Sequence, residues 1–184
     1  MNEWNKKREI MRRYDLTAHL YDMRYADEQK QKIEAALEEI TIKKHCLVLD
    51  VGCGTGILFN YFVEKAKSVV GLDISRKTLQ EAKKRAKNLE NVYLVLADAD
   101  NMPFRENFFD YVFGVTVLQN MPAPAKTLME VRRVAEGKAK IIVTGMKKAF
   151  TLEQFQQLLS AANLKAIAVK VENLNCYVAV CVKL

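Results

Sequence analysis

Residues Val48 to Gly56 read Val-Leu-Asp-Val-Gly-Cys-Gly-Thr-Gly, an apolar run carrying one carboxylate and then three of the chain's seven glycines within five positions. Glycines so spaced let the main chain turn through left-handed conformations and let a ligand approach without meeting a Cβ. A β-strand from Cys46 to Val51 must therefore end in a tight loop. The apolar run behind it reads as a helix from about Ile57 to Ala66, whose free N–H groups would favour an anionic ligand group.

The spacing decides among ligands. The dinucleotide fingerprint Gly-x-Gly-x-x-Gly/Ala fails, because its third glycine position falls on Ile57 or Phe59, and no Gly-Lys-Ser/Thr follows the turn as a P-loop requires. A second signal is Gly71-Leu72-Asp73-Ile74-Ser75, which closes another apolar run, from Ser68, and places an acid 23 positions after Asp50. An acid at the tip of the second strand is where a carboxylate holds a ribose diol in nucleoside-binding α/β folds. Asp73 is the candidate, with capping of the helix near Ser75 as its competing role.

The run Asp50, Gly52, Gly54, Gly56 resembles motif I of the class I S-adenosylmethionine-dependent methyltransferases, Asp/Glu-x-Gly-x-Gly-x-Gly. Ala97-Asp98-Ala99-Asp100-Asn101-Met102-Pro103-Phe104 is similar to the same family's Asp-Ala-x-x-Leu-Pro-Phe segment. Tyr14-Asp15-Leu16-Thr17-Ala18-His19-Leu20-Tyr21-Asp22 resembles its Tyr-Asp-x-x-Ala-x-x-Tyr-Asp lead-in, a region that lids the cofactor site. The resemblance implies S-adenosylmethionine as cofactor, S-adenosylhomocysteine as product and no metal. It carries over Asp50, Gly52, Gly54, Gly56, Asp73 and Ile74 as cofactor contacts. Asp98 would accept from the adenine amino group, the Ala99 N–H would reach a ring nitrogen, and a main-chain carbonyl near Val115 would meet the cofactor's amino group. Tyr14 and Tyr21 are cofactor contacts or pack at helical spacing against the body. Cys53 touches the ligand or fills the loop as a small apolar group.

Strands and helices alternate along the chain: helices over residues 1–13, 26–40, 57–66, 75–87, 124–135 and 151–162, and strands over 46–51, 68–73, 92–97, 109–115, 139–144, 165–171 and 176–182. In the first helix Trp4 and Ile10 or Met11 are the expected apolar contacts. This rhythm argues for a doubly wound parallel sheet, with the last two strands close enough in sequence to be antiparallel. The family resemblance adds a Rossmann-like α/β fold of seven strands in the order 3-2-1-4-5-7-6, the last antiparallel, with helices on both faces. A chain of 184 residues is expected to form a single domain over 1–184, with 1–40 as an N-terminal helical lid or extension.

Half the residues are hydrophobic, which excludes disorder. No apolar stretch approaches the ~18 residues of a membrane span, and the N-terminus has no signal-peptide pattern, so a cytoplasmic protein is expected. Cys46, Cys53, Cys176 and Cys181 form no Cys-x-x-Cys pair and are read as buried reduced thiols. The formal net charge of +7 favours polyanions, although a run such as Lys83, Lys84, Arg85 and Lys87 is most simply a solvated helix face.

At the acceptor end stand Gln119 and Asn120, where many family members carry histidines. Two amides suit hydrogen bonding to a base edge or amino group, or capping of the turn before Pro122. Methyl transfer from a sulfonium is an in-line displacement with an activated leaving group, so alignment dominates and a general base is optional for an amine-like acceptor. No cysteine follows the fourth or fifth strand, which excludes the nucleophile used for cytosine C5. Lys147 and Lys148, Arg105, Arg24 and the basic N-terminus are expected to form one positive rim around the cofactor mouth. The leading expectation is methylation of an RNA nucleobase nitrogen, in ribosomal or transfer RNA. A small-molecule methyltransferase closed by its N-terminal helix, or a cofactor-binding subunit that is inactive without a partner protein, are the alternatives.

Overall fold

The computed structural model describes residues 2–184; Met1, which the expected first helix included, lies outside them. The chain forms seven strands: β1 (Leu47–Val51), β2 (Ser68–Asp73), β3 (Val92–Leu96), β4 (Phe109–Gly114), β5 (Ala135–Met146), β6 (Leu164–Lys170) and β7 (Cys176–Lys183). They make one sheet in the order β3-β2-β1-β4-β5-β7-β6, the order the family resemblance implied. Only β7 runs antiparallel, to β5 on one side and β6 on the other. Its connection from β6 is short enough for a hairpin, whereas each parallel pair needs a crossover.

The helices are α1 (Glu3–Thr17), α2 (Tyr21–Leu37), α3 (Arg76–Arg85), α4 (Pro124–Val134) and α5 (Leu152–Ala161). Local signals set several of their starts. Ser75 caps α3 by accepting from the Thr78 N–H, Pro124 opens α4, and Thr151 and Gln154 form a capping box on α5. Strand alternation divides the core. Leu49, Val51, Val112, Ile141 and Val143 pack on one face with α4 and α5 residues such as Leu128 and Phe155. Val48, Tyr111, Phe113 and Ile142 pack on the other face with Ile33 of α2 and Leu79 of α3. Asp50 shares its side of β1 with Val48, so its carboxylate is directed to the α2/α3 face.

Several boundaries differ from expectation; α1, expected to end at residue 13, runs on to Thr17. The helix expected over 57–66 is a five-residue 3-10 turn, Ile57–Tyr61. Phe59 there packs so closely over Gly56 and Gly71 that the chain turns tightly on itself, and so short a turn supplies no helix-dipole anion site. The helix expected over 26–40 begins at Tyr21, directly after a 3-10 turn at Ala18–Leu20 that joins it to α1. Strand β5 starts at Ala135, straight out of α4, and its register against β4 shifts between Phe109 and Tyr111. All four cysteines are free and buried, as expected.

Candidate functional site

The carboxyl ends of β1, β2 and β4 lie side by side, with Asp50 opposite both Gly71 and Phe113 in the ladder. The order reverses between β1 and β4, which is the switch point where open α/β sheets bind ligands. A cleft, partly open to solvent, lies there. Its walls include Tyr14, Tyr21, Gly52, Gly54, Asp73, Ile74, Asp98, Ala99, Val115 and Asn120. A smaller cavity shares Tyr21, Gly52, Gly54 and Val115 with it and adds Gln29, Asp50 and Cys53. The residues expected around a cofactor are thus brought together from five separate stretches of chain. Gly56 lines neither space; it lies buried beneath Phe59.

The glycine loop is held from below. Gly52, Gly54 and Gly56 all have positive φ, and a Cβ at Gly52 would come within 2.7 Å of Val117. The Cys53 N–H donates to the Leu72 carbonyl at 2.9 Å. Asp73 Oδ2 accepts the Gly54 N–H at 3.0 Å and its Oδ1 the Ser75 N–H at 2.8 Å. Burial raises the Asp73 pKa above the ordinary carboxylate value, against these N–H groups, which lower it. Asp50 differs: it is buried and makes no side-chain hydrogen bond among the described residues. Desolvation, with the Asp73 charge added, pushes its pKa well up. A buried carboxylate with no donor is suited to a cationic group.

An N-terminal roof covers the cleft. Lys7 is buried on α1, with its Nζ 2.8 and 2.7 Å from the two Asp98 oxygens and also bonded to Asp100. Burial opposes its charge, but the hydrogen bonds and charges of Asp100 and Asp98 outweigh burial and raise its pKa. Asp98 Oδ1 also accepts the Asp100 N–H. Of roughly four lone-pair sites on a carboxylate, one on Oδ2 remains open toward a further donor. Farther along, Asp15 accepts from the Ser75 hydroxyl at 2.6 Å. Asp22 is bonded to Thr55 and Arg85. Arg13 donates to Asn120 Oδ1, and Asn120 Nδ2 donates to the Tyr14 hydroxyl. Burial raises the pKa of both Tyr14 and Tyr21.

Several expectations about side chains change. The buried contact of α1 is Lys7 rather than Trp4, which stays half exposed; Ile10 does face the cleft. Two members of the expected basic rim, Arg105 and Lys7, lie elsewhere, whereas Arg13 of the basic N-terminus stays at the cleft on Asn120. Arg105 stacks over Phe108 at 4.7 Å, beside the start of β4 and so at the opposite end of the sheet, because the loop after β3 returns along the strand's full length. Lys147 donates to the Val171 carbonyl at 2.7 Å, while Lys148 and Arg24 are exposed. Lys7, one of the expected basic contacts, is turned inward. Gln119 does not line the cleft; its Nε2 donates to the Thr116 carbonyl at 2.7 Å, and its Oε1 is buried without a partner. Residues that sequence reasoning passed over are Gln29, Lys32 and Thr116. Only the positive φ of Thr116, +64°, is a local anomaly, and a strand-to-loop threonine carries no sequence signal of it.

A doubly wound sheet with a glycine loop at its switch point and an acid at the next strand's tip defines an α/β domain built to hold a nucleoside-bearing cofactor. Residues 49–143, just over half of the chain, match the family model described as a methyltransferase domain. The chain belongs to the class I S-adenosylmethionine-dependent methyltransferase family. It is 33% identical over 130 residues to a malonyl-[acyl-carrier protein] O-methyltransferase of Marinomonas sp., covering 70% of this chain and 48% of that one. It is 34% identical over 119 residues to a demethylmenaquinone methyltransferase of Staphylococcus saprophyticus, covering 63% and 51%. The chain thus spans about half the length of these curated relatives. Its fold superposes with a TM-score of 0.80, at 15% identity and over 92% of this chain and 96% of the other, on a structure of the Haloferax volcanii Trm112 methyltransferase activator in complex with a methyltransferase. No helix among the described residues is long and apolar enough to cross a membrane.

Proposed function

We propose that the chain transfers a methyl group from S-adenosylmethionine to a small molecule, as one domain over residues 1–184 acting in the cytoplasm, with residues 1–40 as its lid. One observation carries this choice of acceptor: the roof of α1 and the start of α2 closes over the cleft and is pinned on both sides of it, at Asp98 and at Asn120. A roofed cleft suits an enclosed acceptor more than a polymer. Arg105 and Lys7 are turned away from the positive rim that an RNA substrate would use, and the acceptors in the relatives' names are a quinone and an acyl-carrier-bound malonyl group.

The residues fit the cofactor by their chemistry. Asp50 supplies the acceptor that an ammonium needs, Asp73 lies where a ribose diol is held, and Asp98 keeps a free lone pair for the adenine amino group. Tyr14 and Tyr21 form the lid above them, and Asn120 marks the acceptor side. The cofactor supplies the electrophilic methyl; the protein excludes water and aligns the two reactants. The test is incubation with S-adenosylmethionine labelled at its methyl, offered separately reduced demethylmenaquinone, malonyl-acyl carrier protein and total RNA. Label in a small acceptor supports the reading. Label in RNA overturns it in favour of the nucleobase reading, and cofactor binding without transfer to any of the three would point to a subunit that works with a partner protein.

A further inference from the structure

A charged side chain lies inside the fold beside the smaller cavity. Lys32, on α2, is completely buried. Its Nζ lies 2.6 Å from Glu28 Oε1, 3.0 Å from Thr116 Oγ1 and 3.6 Å from Met146 Sδ. Glu28 is a third exposed and could pair equally well with a lysine on the outer face of the helix, so the ion pair alone does not account for the inward direction. Thr116 does. Its hydroxyl accepts from Lys32 and donates to Gln29 Oε1 at 2.9 Å, and its N–H donates to Thr144 Oγ1 at 2.7 Å. Its carbonyl accepts from the side-chain amides of Gln119 and Asn120. Every polar atom of Thr116 is therefore bonded.

That saturation holds an unusual backbone. Thr116 has φ +64°, a region that β-branched residues rarely enter and that persists only where the surroundings over-determine it. Its neighbours are the working surface: Val115 lines both the cleft and the smaller cavity, and Val117 abuts Gly52. Gln29, the other partner of the hydroxyl, lines the smaller cavity with Asp50. We infer that Lys32 is the positioning residue for the amino-acid end of the cofactor. Anchored by Glu28, its ammonium holds Thr116 in the left-handed conformation and so sets the Val115 carbonyl and Gln29 around the cavity that Asp50 borders. It touches neither cofactor nor reacting atoms. The inference rests on the reading of that cavity as the amino-acid subsite.

Calorimetric titration with S-adenosylhomocysteine and with 5′-methylthioadenosine, which lacks the amino-acid portion, tests it. Lys32→Met is expected to weaken S-adenosylhomocysteine about tenfold, the loss attending a hydrogen bond to a charged group, while leaving 5′-methylthioadenosine within about twofold of the parent protein. Thr116→Val, which keeps the lysine and removes the hydroxyl, should give the same split, and the double variant should be no weaker than the weaker single one. Equal weakening of both ligands, no weakening of either, or strict additivity in the double variant overturns the inference. If Lys32→Met does not fold, the Thr116→Val split decides alone. Failure of the parent protein to bind S-adenosylhomocysteine would instead remove the cofactor reading itself.

Discussion

The ammonium of Lys7 bridges both carboxylate oxygens of Asp98, at 2.8 and 2.7 Å, across 91 residues of chain. A helix from one end of the sequence is thereby locked onto the loop that ends β3. The contacts that hold this roof are mostly polar: Ala18 is the one apolar residue among 2–20 that is buried. Segments with few buried apolar contacts open at low free energy, so the roof is expected to open before the sheet does.

Lys7→Met should therefore release α1. Leaving Asp100 and Asp98 without their cation is expected to destabilise the closed form by about 3 kcal/mol, the lower end for removing one member of a buried ion pair. Hydrogen exchange should accelerate over residues 3–17 more than in β1 or β4. The pH dependence follows from the raised pKa of Lys7 in the folded chain. Its contribution is complete below the unfolded lysine value of roughly 10.4 and fades as pH climbs through the folded value. Melting curves of parent and variant should converge at alkaline pH; a constant gap would show that the ion pair is not what holds the roof.

Asp50→Asn should raise stability and abolish tight cofactor binding together. The folded-state pKa of Asp50 is raised, so ionisation disfavours the unliganded fold once pH exceeds the unfolded aspartate value of roughly 3.9. At neutral pH the neutral amide removes that penalty, and the melting temperature without ligand should rise. With a cofactor ammonium present the sign reverses, because the ionised form is then preferred. S-adenosylhomocysteine affinity of the parent protein should fall as pH drops through the raised pKa, with proton release measurable by titration in buffers of different ionisation enthalpy. Unchanged affinity and the same pH profile in Asp50→Asn would rule out Asp50 as the ammonium's partner.

Asp73→Ala combines two losses that can be separated. The carboxylate both holds the glycine loop through the Gly54 N–H and stands where a ribose diol would donate. S-adenosylhomocysteine affinity is expected to fall about a hundredfold or more, two charge-assisted hydrogen bonds' worth. Asp73→Asn keeps one acceptor oxygen and should lie between. Near-parent affinity of Asp73→Ala in calorimetry would refute the assignment.

What could be read in advance was whatever one stretch of chain signals by itself. Gly52, Gly54 and Asp73 owe their placement to a loop geometry and a strand end that a few adjacent residues determine, and both showed in the sequence. The long-range pairs did not. Lys7 and Lys32 sit on charged helices whose default reading is a solvated face, and the partners that draw them inward lie 91 and 84 residues away. Arg105 misled in the opposite sense, since a charge next to a site in sequence can be carried to the far end of the sheet by a loop that retraces a strand. The run after Gly56 has helical hydrophobic content, but period alone does not show that Phe59 must fold back over two glycines.

That packing supports the last prediction. A Cβ on Gly71 would lie 2.7 Å from Phe59 Cζ and 2.9 Å from Cys53 Sγ. Gly71 has no positive φ to preserve, so the effect of Gly71→Ala is overpacking alone, about 1–3 kcal/mol, or roughly 3–10 °C in melting temperature for a chain of this size. Both obstructing atoms belong to side chains, and the ring of Phe59 is the one that can be shortened. Phe59→Leu in the Gly71→Ala background should recover stability, although Phe59→Leu by itself opens a cavity and lowers it. Gly71 lines neither the cleft nor the smaller cavity, so S-adenosylhomocysteine affinity should stay close to the parent's in whatever fraction remains folded. If Phe59→Leu instead worsened Gly71→Ala, the strain would lie on the Cys53 side, and the glycine loop rather than the Phe59 turn would be the part that Gly71 accommodates.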